Sequence, residues 1–439
     1  LIYYPIMHYL NCLENITDFD SAKYILENKG LKVKAYYTNQ NSDKFYPELY
    51  IVRYDKEKCD MSDLDVQKCR GLILSKADNS LVCPVPPKSI SSDFFSTNFN
   101  NEPNNWLIQD FIDGTMINLF KFNDETYLST RSCLNARCRW FSKQTFADLF
   151  TQCLGSSPEK LDSLDMNYCY SFVIQHPDNT IVKKYLVPDL VLTCVTKINS
   201  DNSVTFLNVH DFVEKHNLDF RVPTQFNFKK IEDVYGYVNS LCDTDQGVVI
   251  LKNDSETIEN GAHIRTKIRN TKYSSVRKLR GNTNNKMYLF FQLRKQGGGA
   301  VENYLKYFED DKELFDNFRK NLYSFTQLLF QNYLDCFVNK NSNGETIKQH
   351  KNIDYELRPL VAELHSQYFT TREKTTKNTV IQYLHKMDIP RLLFVLNYKN
   401  SSIKKEQKNT DSNSNENNEN NENNENNENI EIAENIENN

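Results

Sequence analysis

Between Arg265 and Arg280 the chain sets seven basic residues in sixteen positions, with no acidic residue among them. A strip of this kind tracks phosphates, and binding through it falls steeply with salt. A solvated helix face has the same composition, so both readings stand at this point. Tyr273, inside the strip, suits either a base to stack on or a core to fill. Upstream, Ile108–Phe120 reads as a strand, an Asp113-Gly114 turn and a second strand, because apolar residues flank the turn on both sides. Asp113 and Gly114 fit a type I′ turn, where positive φ is required. Tyr127–Arg131 is a further short strand that ends on a basic residue. His176 precedes Pro177 in a turn and reads as structural, and His263 as a strand residue. The 11 cysteines are scattered and odd in number, and no Cys-x-x-Cys occurs. Cys133 and Cys138 come nearest to a pair, so reduced thiols in a cytoplasmic protein are expected and a metal site is not.

The elements that must position these residues follow from periodicity. Leu49–Tyr54, Cys69–Leu74 and Leu81–Val85 are strand candidates rich in β-branched and aromatic residues, and Pro84, Pro86 and Pro87 end regular pairing. Ser89–Asn105, full of Ser, Asn and Asp, reads as a surface loop. Helical spacing marks Phe19–Leu26, Ser142–Leu154, Ile231–Leu241 and Ser274–Arg280. Strands are expected at Tyr168–Ile174, Thr180–Leu186, Leu190–Ile198, Val204–Val209, Gln246–Leu251 and His263–Ile268. The pattern then changes. Gly297-Gly298-Gly299 suggests a hinge, and apolar residues recur at three- and four-residue spacing from Ala300 to Val338, over Tyr355–Tyr368 and over Thr379–Leu396. Asp388 and Pro390 suit the start of a last short helix.

At 439 residues the chain has length for two cores. It contains no apolar run long enough to span a membrane and opens without a secretory signal pattern, with Met7 a possible initiator. The net charge of −5 hides an asymmetry, since residues 411–439 hold nine acidic side chains and no basic ones. The remainder is mildly basic, as suits a binder of polyanions. The tail repeats Glu-Asn-Asn with almost no apolar residues and is expected to be disordered. Asn-rich repeats of this type often accompany AT-rich genomes, including those of large viruses and some protists.

Several stretches, in order, resemble the phage-type RNA ligases of the covalent nucleotidyltransferase superfamily. Cys69-Arg70-Gly71-Leu-Ile is similar to the strand before that family's nucleotide motif, and Pro86-Pro-Lys88 to its phosphate-proximal lysine segment. The Asp113-Gly114 turn resembles the Asp-Gly of its Lys-x-Asp-Gly signature, and Thr130-Arg131-Ser132 the basic motif that follows. Tyr170-Ser-Phe-Val-Ile-Gln-His-Pro-Asp-Asn-Thr-Ile-Val182, Gln246-Gly247-Val-Val-Ile250 and Lys267-Ile-Arg269 with Tyr273 resemble its later motifs. Together they span residues 49–280. The resemblance implies an α+β fold: a nucleotidyltransferase domain (ATP-grasp-like ligase) of antiparallel sheets with helices over residues 1–282. An all-helical domain over 283–400 and a disordered tail over 401–439 would follow. It also implies nucleotide or phosphate contacts from Arg70, Lys88, Asp113, Gly114, Arg131, Phe172, Lys267 and Arg269. RNA contacts are expected from Lys272, Arg277, Lys278 and Arg280.

The departures are systematic. Phe111 stands where the family has its adenylated lysine, Val173 where it has a ribose-contacting glutamate, and Gln246 where it has a metal-binding glutamate. Arg269 replaces a lysine, keeping charge and losing compact amine geometry. A phenyl ring cannot attack phosphorus, and a neutral amide lacks the charge a hard cation needs. The implied function is therefore a pseudoenzyme that binds RNA, tRNA-like or nicked, or a nucleotide, in the cytoplasm (the host's, if viral). One alternative is an active ATP- and Mg²⁺-dependent RNA ligase with a relocated nucleophile such as Lys88. The other is a scaffold that works through protein contacts. No metal ligands and no certain cofactor are assigned.

Overall fold

Antiparallel strand pairing dominates the N-terminal part of the chain. In the computed structural model the described residues are 9–36, 48–99, 106–140, 142–155, 158–252, 264–283 and 285–398. They divide into two compact units, with the boundary between Lys278 and Leu279. The tail beyond residue 400, and His263, lie outside the described residues.

In the first unit the described strands form three sheets. The first runs β1 (Lys32–Ala35), β2 (Leu49–Arg53), β3 (Arg70–Ser75), β4 (Leu81–Cys83). Every residue of β2 is buried, as expected for an apolar run covered on both faces. Tyr50 and Val52 join Ala22 and Leu26 of helix α1 (Phe19–Asn28) in one core. Leu49 and Ile51 face the other way, into a second core with Phe120 and Tyr127. The second sheet contains β6 (Thr115–Phe122), β7 (Glu125–Ser129), β8 (Tyr168–Gln175), β9 (Asp189–Ile198) and β10 (Val204–Leu207), in the order β10-β9-β8-β6-β7. The third contains β5 (Trp106–Asp110), β11 (Gln225–Phe226), β12 (Gly247–Lys252) and β13 (Arg265–Arg269), in the order β11-β5-β12-β13. Helices α3 (Ser92–Phe99) and α6 (Ile231–Ser240) cover it, burying Phe95, Val234 and Val238 against Ile108, Val248 and Ile268.

The expected hairpin about Asp113-Gly114 is not one. β5 pairs within the third sheet and β6 within the second, so Phe111–Gly114 is a crossover between sheets. Phe111 N donates to Gly247 O at 3.0 Å, and the chain then runs so close to β8 that a Cβ on Gly114 (φ 142°) would lie 2.2 Å from Ile174 O. The tight hairpin lies further on. Asn123 and Asp124, with φ of 48° and 65°, join β6 to β7 as a type I′ pair does.

Two further expectations are corrected. Ser89–Asn105 is not simply a loop, because Ser92–Phe99 is helical. Ser96, Thr97 and Asn98 donate to carbonyls four residues back, so the polar side chains that suggested a loop are satisfied within the helix. Thr180–Leu186 forms no strand. The Val182 and Lys183 amides donate to the Asp113 carboxylate instead of to a ladder. The helix expected over Ser142–Leu154 is α4 (Phe146–Leu154), started by a reciprocal Thr145–Asp148 capping box.

The second unit is helical throughout its described core. It contains α8 (Lys286–Gln296), α9 (Ala300–Tyr307), α10 (Lys312–Phe337), α11 (Arg358–Thr371) and α12 (Lys377–Lys386), then a helix over residues 389–398. Gly297–Gly299 separates α8 from α9 within this unit. Tyr304 stacks on Phe308 and Phe315, and Phe290 meets Phe315 edge-on. The aromatic spacing thus marks a core.

Candidate anion-binding site

The crossover residues Phe111–Gly114 form one wall of a cavity of about 120 Å³ in the first unit. β13 and helix α7 (Thr271–Arg280) form another wall. On β13 the sequence Arg265-Thr-Lys267-Ile-Arg269 alternates, so Thr266 and Ile268 are buried while the three basic residues share the opposite face. Arg265 and Lys267 line the cavity together with Arg70 of β3 and Arg277 of α7. The lining residues also include Gln109, Phe111, Asp113, Val173 and Gln246. The cavity persists even though Phe111 and Val173 border it.

Phe111 is gripped by cations. Lys267 Nζ lies 4.4 Å and Arg269 Cζ 5.1 Å from its ring centroid. Such contacts stabilise a positive charge by about 0.5–2 kcal/mol each, more as water is excluded. No hydrogen bond or ion pair to a carboxylate engages Lys267 among the described residues. Its ammonium is pushed well below the ordinary lysine value, by burial first and then by Arg265, Arg70, Arg269 and Arg277. Burial also opposes the charge on Arg265, Arg70 and Arg131. A guanidinium nevertheless stays protonated in proteins, so these groups repel one another rather than discharge. Lys56 belongs to the same field: burial, then Arg131, Lys88, Arg269 and Arg70, lower it to about 8.

Asp113 has a structural task. Its Oδ2 accepts from Val182 N at 3.3 Å and Lys183 N at 3.0 Å, and its Oδ1 from the Tyr273 hydroxyl at 2.7 Å. Its own carbonyl accepts from Gln175 Nε2 at 3.1 Å and Tyr185 OH at 3.0 Å. Tyr273 is fully buried with its hydroxyl committed, which decides between the two roles open to it in sequence. Gly71 (φ 99°) has a steric role: a Cβ there would lie 2.8 Å from Arg131 Cα, so its absence lets the Arg131 backbone sit against β3. Arg131 in turn stacks on Tyr54, 4.5 Å from its ring centroid.

Of the residues singled out in the sequence, the cavity brings together Arg70, Phe111, Asp113, Gly114, Val173, Gln246, Lys267, Tyr273 and Arg277. Arg269 flanks it on Phe111, while Lys88 and Arg131 stand in the field around Lys56. Phe172 points to the other face of β8, where it packs on Phe150 and Phe220. Lys272 donates to the carbonyls of Asn239 and Leu241, at the end of α6. Arg280 is buried and Lys278 exposed, so Arg265–Arg280 is not one continuous basic face. His176 is structural: its Nδ1 accepts from Asp178 N and its Nε2 therefore donates to Gln152. Lys56, Gln109 and Arg265 were missing from the expected site. Strand alternation pointed to Arg265, whereas nothing local marked Lys56 or Gln109.

No protein-family model matches the chain. It is similar to two curated viral proteins, each described as "Immediate-early protein ICP-46 homolog". The one from Invertebrate iridescent virus 6 is 24% identical over 327 residues, 66% of this chain and 67% of the relative. The one from Invertebrate iridescent virus 3 is 28% identical over 191 residues, 42% of this chain and 38% of the relative. Solved structures that it resembles include a putative ATP-dependent DNA ligase from Aquifex aeolicus (TM-score 0.38, 13% identity, 72% of this chain and 80% of that one). They also include Naegleria gruberi RNA ligase with pyrophosphate (TM-score 0.33, 11% identity, 44% and 57%). Likeness at this level leaves the chemistry to the residues themselves.

Those residues suit phosphate. Buried guanidinium and ammonium groups converge on the cavity, the donor set that phosphate oxygens require. Two carboxylates line the cavity, Asp110 and Asp113; both Asp113 oxygens already have donors, and Gln246 is neutral. Among the described residues, no three His, Cys, Asp or Glu side chains are grouped to hold a metal ion.

Proposed function

We propose that the first unit is an RNA-ligase-like module that binds a nucleotide or the phosphates of RNA without covalent transfer, and that the second unit and the Lys278 region add contacts to RNA. The observation that carries this reading is Phe111. In the resemblance it stands where the family has its nucleophile, and two cations sit on its ring. A phenyl group supplies no lone pair for phosphorus, while the surrounding cations retain affinity for an anion. The mixed α+β fold and the order of the motifs support the comparison with ligases. The domain limits proposed from sequence, 1–282 and 283–400, and action in the cytoplasm belong to the same reading.

The test is incubation of the full chain with α-labelled ATP and Mg²⁺ or Mn²⁺, followed by denaturing electrophoresis, with an active ligase labelled in parallel. No labelled band is expected here, together with salt-sensitive retention of RNA in a filter assay. A band surviving denaturation would overturn the reading.

One observation favours a second reading, an active ligase with a displaced nucleophile. Burial and neighbouring cations hold Lys267 in the amine form more readily than an ordinary lysine. Its nitrogen could then attack the α-phosphorus of ATP, forming the N–P bond as pyrophosphate leaves and the surplus proton passes to solvent. Lys267, which lines the cavity, fits this role better than Lys88, which does not. Labelling that disappears in Lys267→Met and persists in Lys88→Met would establish it.

A further inference from the structure

We propose that the cavity takes the polyphosphate of its ligand without a divalent metal, with Arg265, Lys267 and Arg269 standing in for the cation. The inference rests on the reading of the cavity as a nucleotide-phosphate site and names the ionic form of the ligand it accepts.

Three observations support it independently of family likeness. The first is the imbalance of charge. Arg265, Lys267 and Arg269 project from one face of β13, and none of them forms an ion pair with a carboxylate among the described residues. The charges that act most strongly on Lys267 are themselves positive: Arg265, Arg70, Arg269 and Arg277. A polyanion relieves this repulsion, whereas a ligand already neutralised by a dication relieves less of it and adds positive charge to the field. The second is the state of the carboxylates. Asp113 is engaged by Val182 N, Lys183 N and the Tyr273 hydroxyl, and Gln246 offers only an amide oxygen. Among the lining residues that leaves Asp110 as the one carboxylate not engaged by those donors, fewer anionic oxygens than a hard cation usually shares between protein and ligand. The third is unmet hydrogen bonding. Arg265 Nε, a donor, and Gln109 Oε1, an acceptor, are buried at the cavity without partners. A buried polar atom without a partner costs stability. A phosphate oxygen answers the first atom, and a hydroxyl or amino group answers the second. That pairing fits a nucleotide better than an inorganic anion.

The test is equilibrium binding of ATP to the full chain by calorimetry, in EDTA and in excess Mg²⁺, with tripolyphosphate in EDTA as competitor. ATP is expected to bind in EDTA, and Mg²⁺ is expected to leave the affinity unchanged or weaken it. Tripolyphosphate should displace it. Lys267→Met should weaken the EDTA binding by roughly tenfold, the scale of one charge-assisted contact, while Lys267→Arg retains most of it. The melting curve of each variant reports whether it is folded. Binding that requires Mg²⁺ would overturn the metal-free inference and leave the nucleotide reading standing. Absence of binding in both conditions would overturn both. Failure of tripolyphosphate to compete would show that the phosphates are not what the cavity holds, again against the inference.

Discussion

Lys267 Nζ lies 4.4 Å from the ring centroid of Phe111, and among the described residues no carboxylate hydrogen-bonds to it. Phe111 presents a π-face to the cation. The ammonium that rests on it is opposed by burial and by four arginines. An apolar ring thus sits within a field of positive charge.

The π-face itself can be tested with Phe111→Leu, which keeps much of the apolar volume and removes the ring. Two cation–π contacts are lost, so destabilisation of about 1–2 kcal/mol is expected. Urea denaturation of the two proteins measures it. A loss no larger than that of an exposed substitution would mean that the ring's contact with the cations contributes nothing.

The pH dependence of stability has a definite sign. The native Lys267 ammonium loses its proton below the ordinary value of 10.5, so between these limits the unfolded chain binds the extra proton. The lysine's charge then opposes folding at low pH, and stability rises with pH through that window. Lys267→Met should lack this increment, which melting temperatures recorded across the alkaline range will show. Binding of a polyanion should correspondingly take up a proton, seen as a buffer-dependent heat in calorimetry.

Asp113 should behave as a structural residue. Asp113→Ala leaves the Val182 and Lys183 amides and the Tyr273 hydroxyl without their acceptor. A loss of about 3–5 kcal/mol is expected for such a buried group. Tyr273→Phe removes only one of these bonds and should cost about 1–2 kcal/mol. In the Asp113→Ala background the same change should cost much less, because the partner is already gone. Additive losses in that double-mutant cycle would contradict the coupling.

Gly114→Ala is expected to prevent soluble expression or to destabilise by more than about 3 kcal/mol, since the new methyl would meet a backbone carbonyl that cannot rotate away. Gly155→Ala is the control: its surroundings are open, so it bears only the cost of a positive φ. Comparable yields of the two variants would remove the steric account of the crossover.

What the sequence determined by itself is what short-range physics decides. Short apolar runs rich in β-branched and aromatic residues identified β2, β3, β8, β9 and β12, because such side chains favour a strand whatever it pairs with. Three- and four-residue spacing likewise identified the helices of the second unit beyond Ala300, although not the helix Lys286–Gln296. Tertiary structure decided the pairings. Asp113-Gly114 looked like a hairpin because strand–turn–strand and strand–crossover–strand share one local pattern. Only the partners of β5 and β6 distinguish them. Thr180–Leu186 had strand composition, yet two of its amides are committed to a carboxylate some seventy positions away. Ser89–Asn105 looked like a loop because polar composition does not reveal side chains bonding to their own helix. Lys56 and Gln109 joined the site, and Phe172 left it, for the same reason: the direction of a side chain relative to a distant strand is a property of packing and is not encoded at any one position.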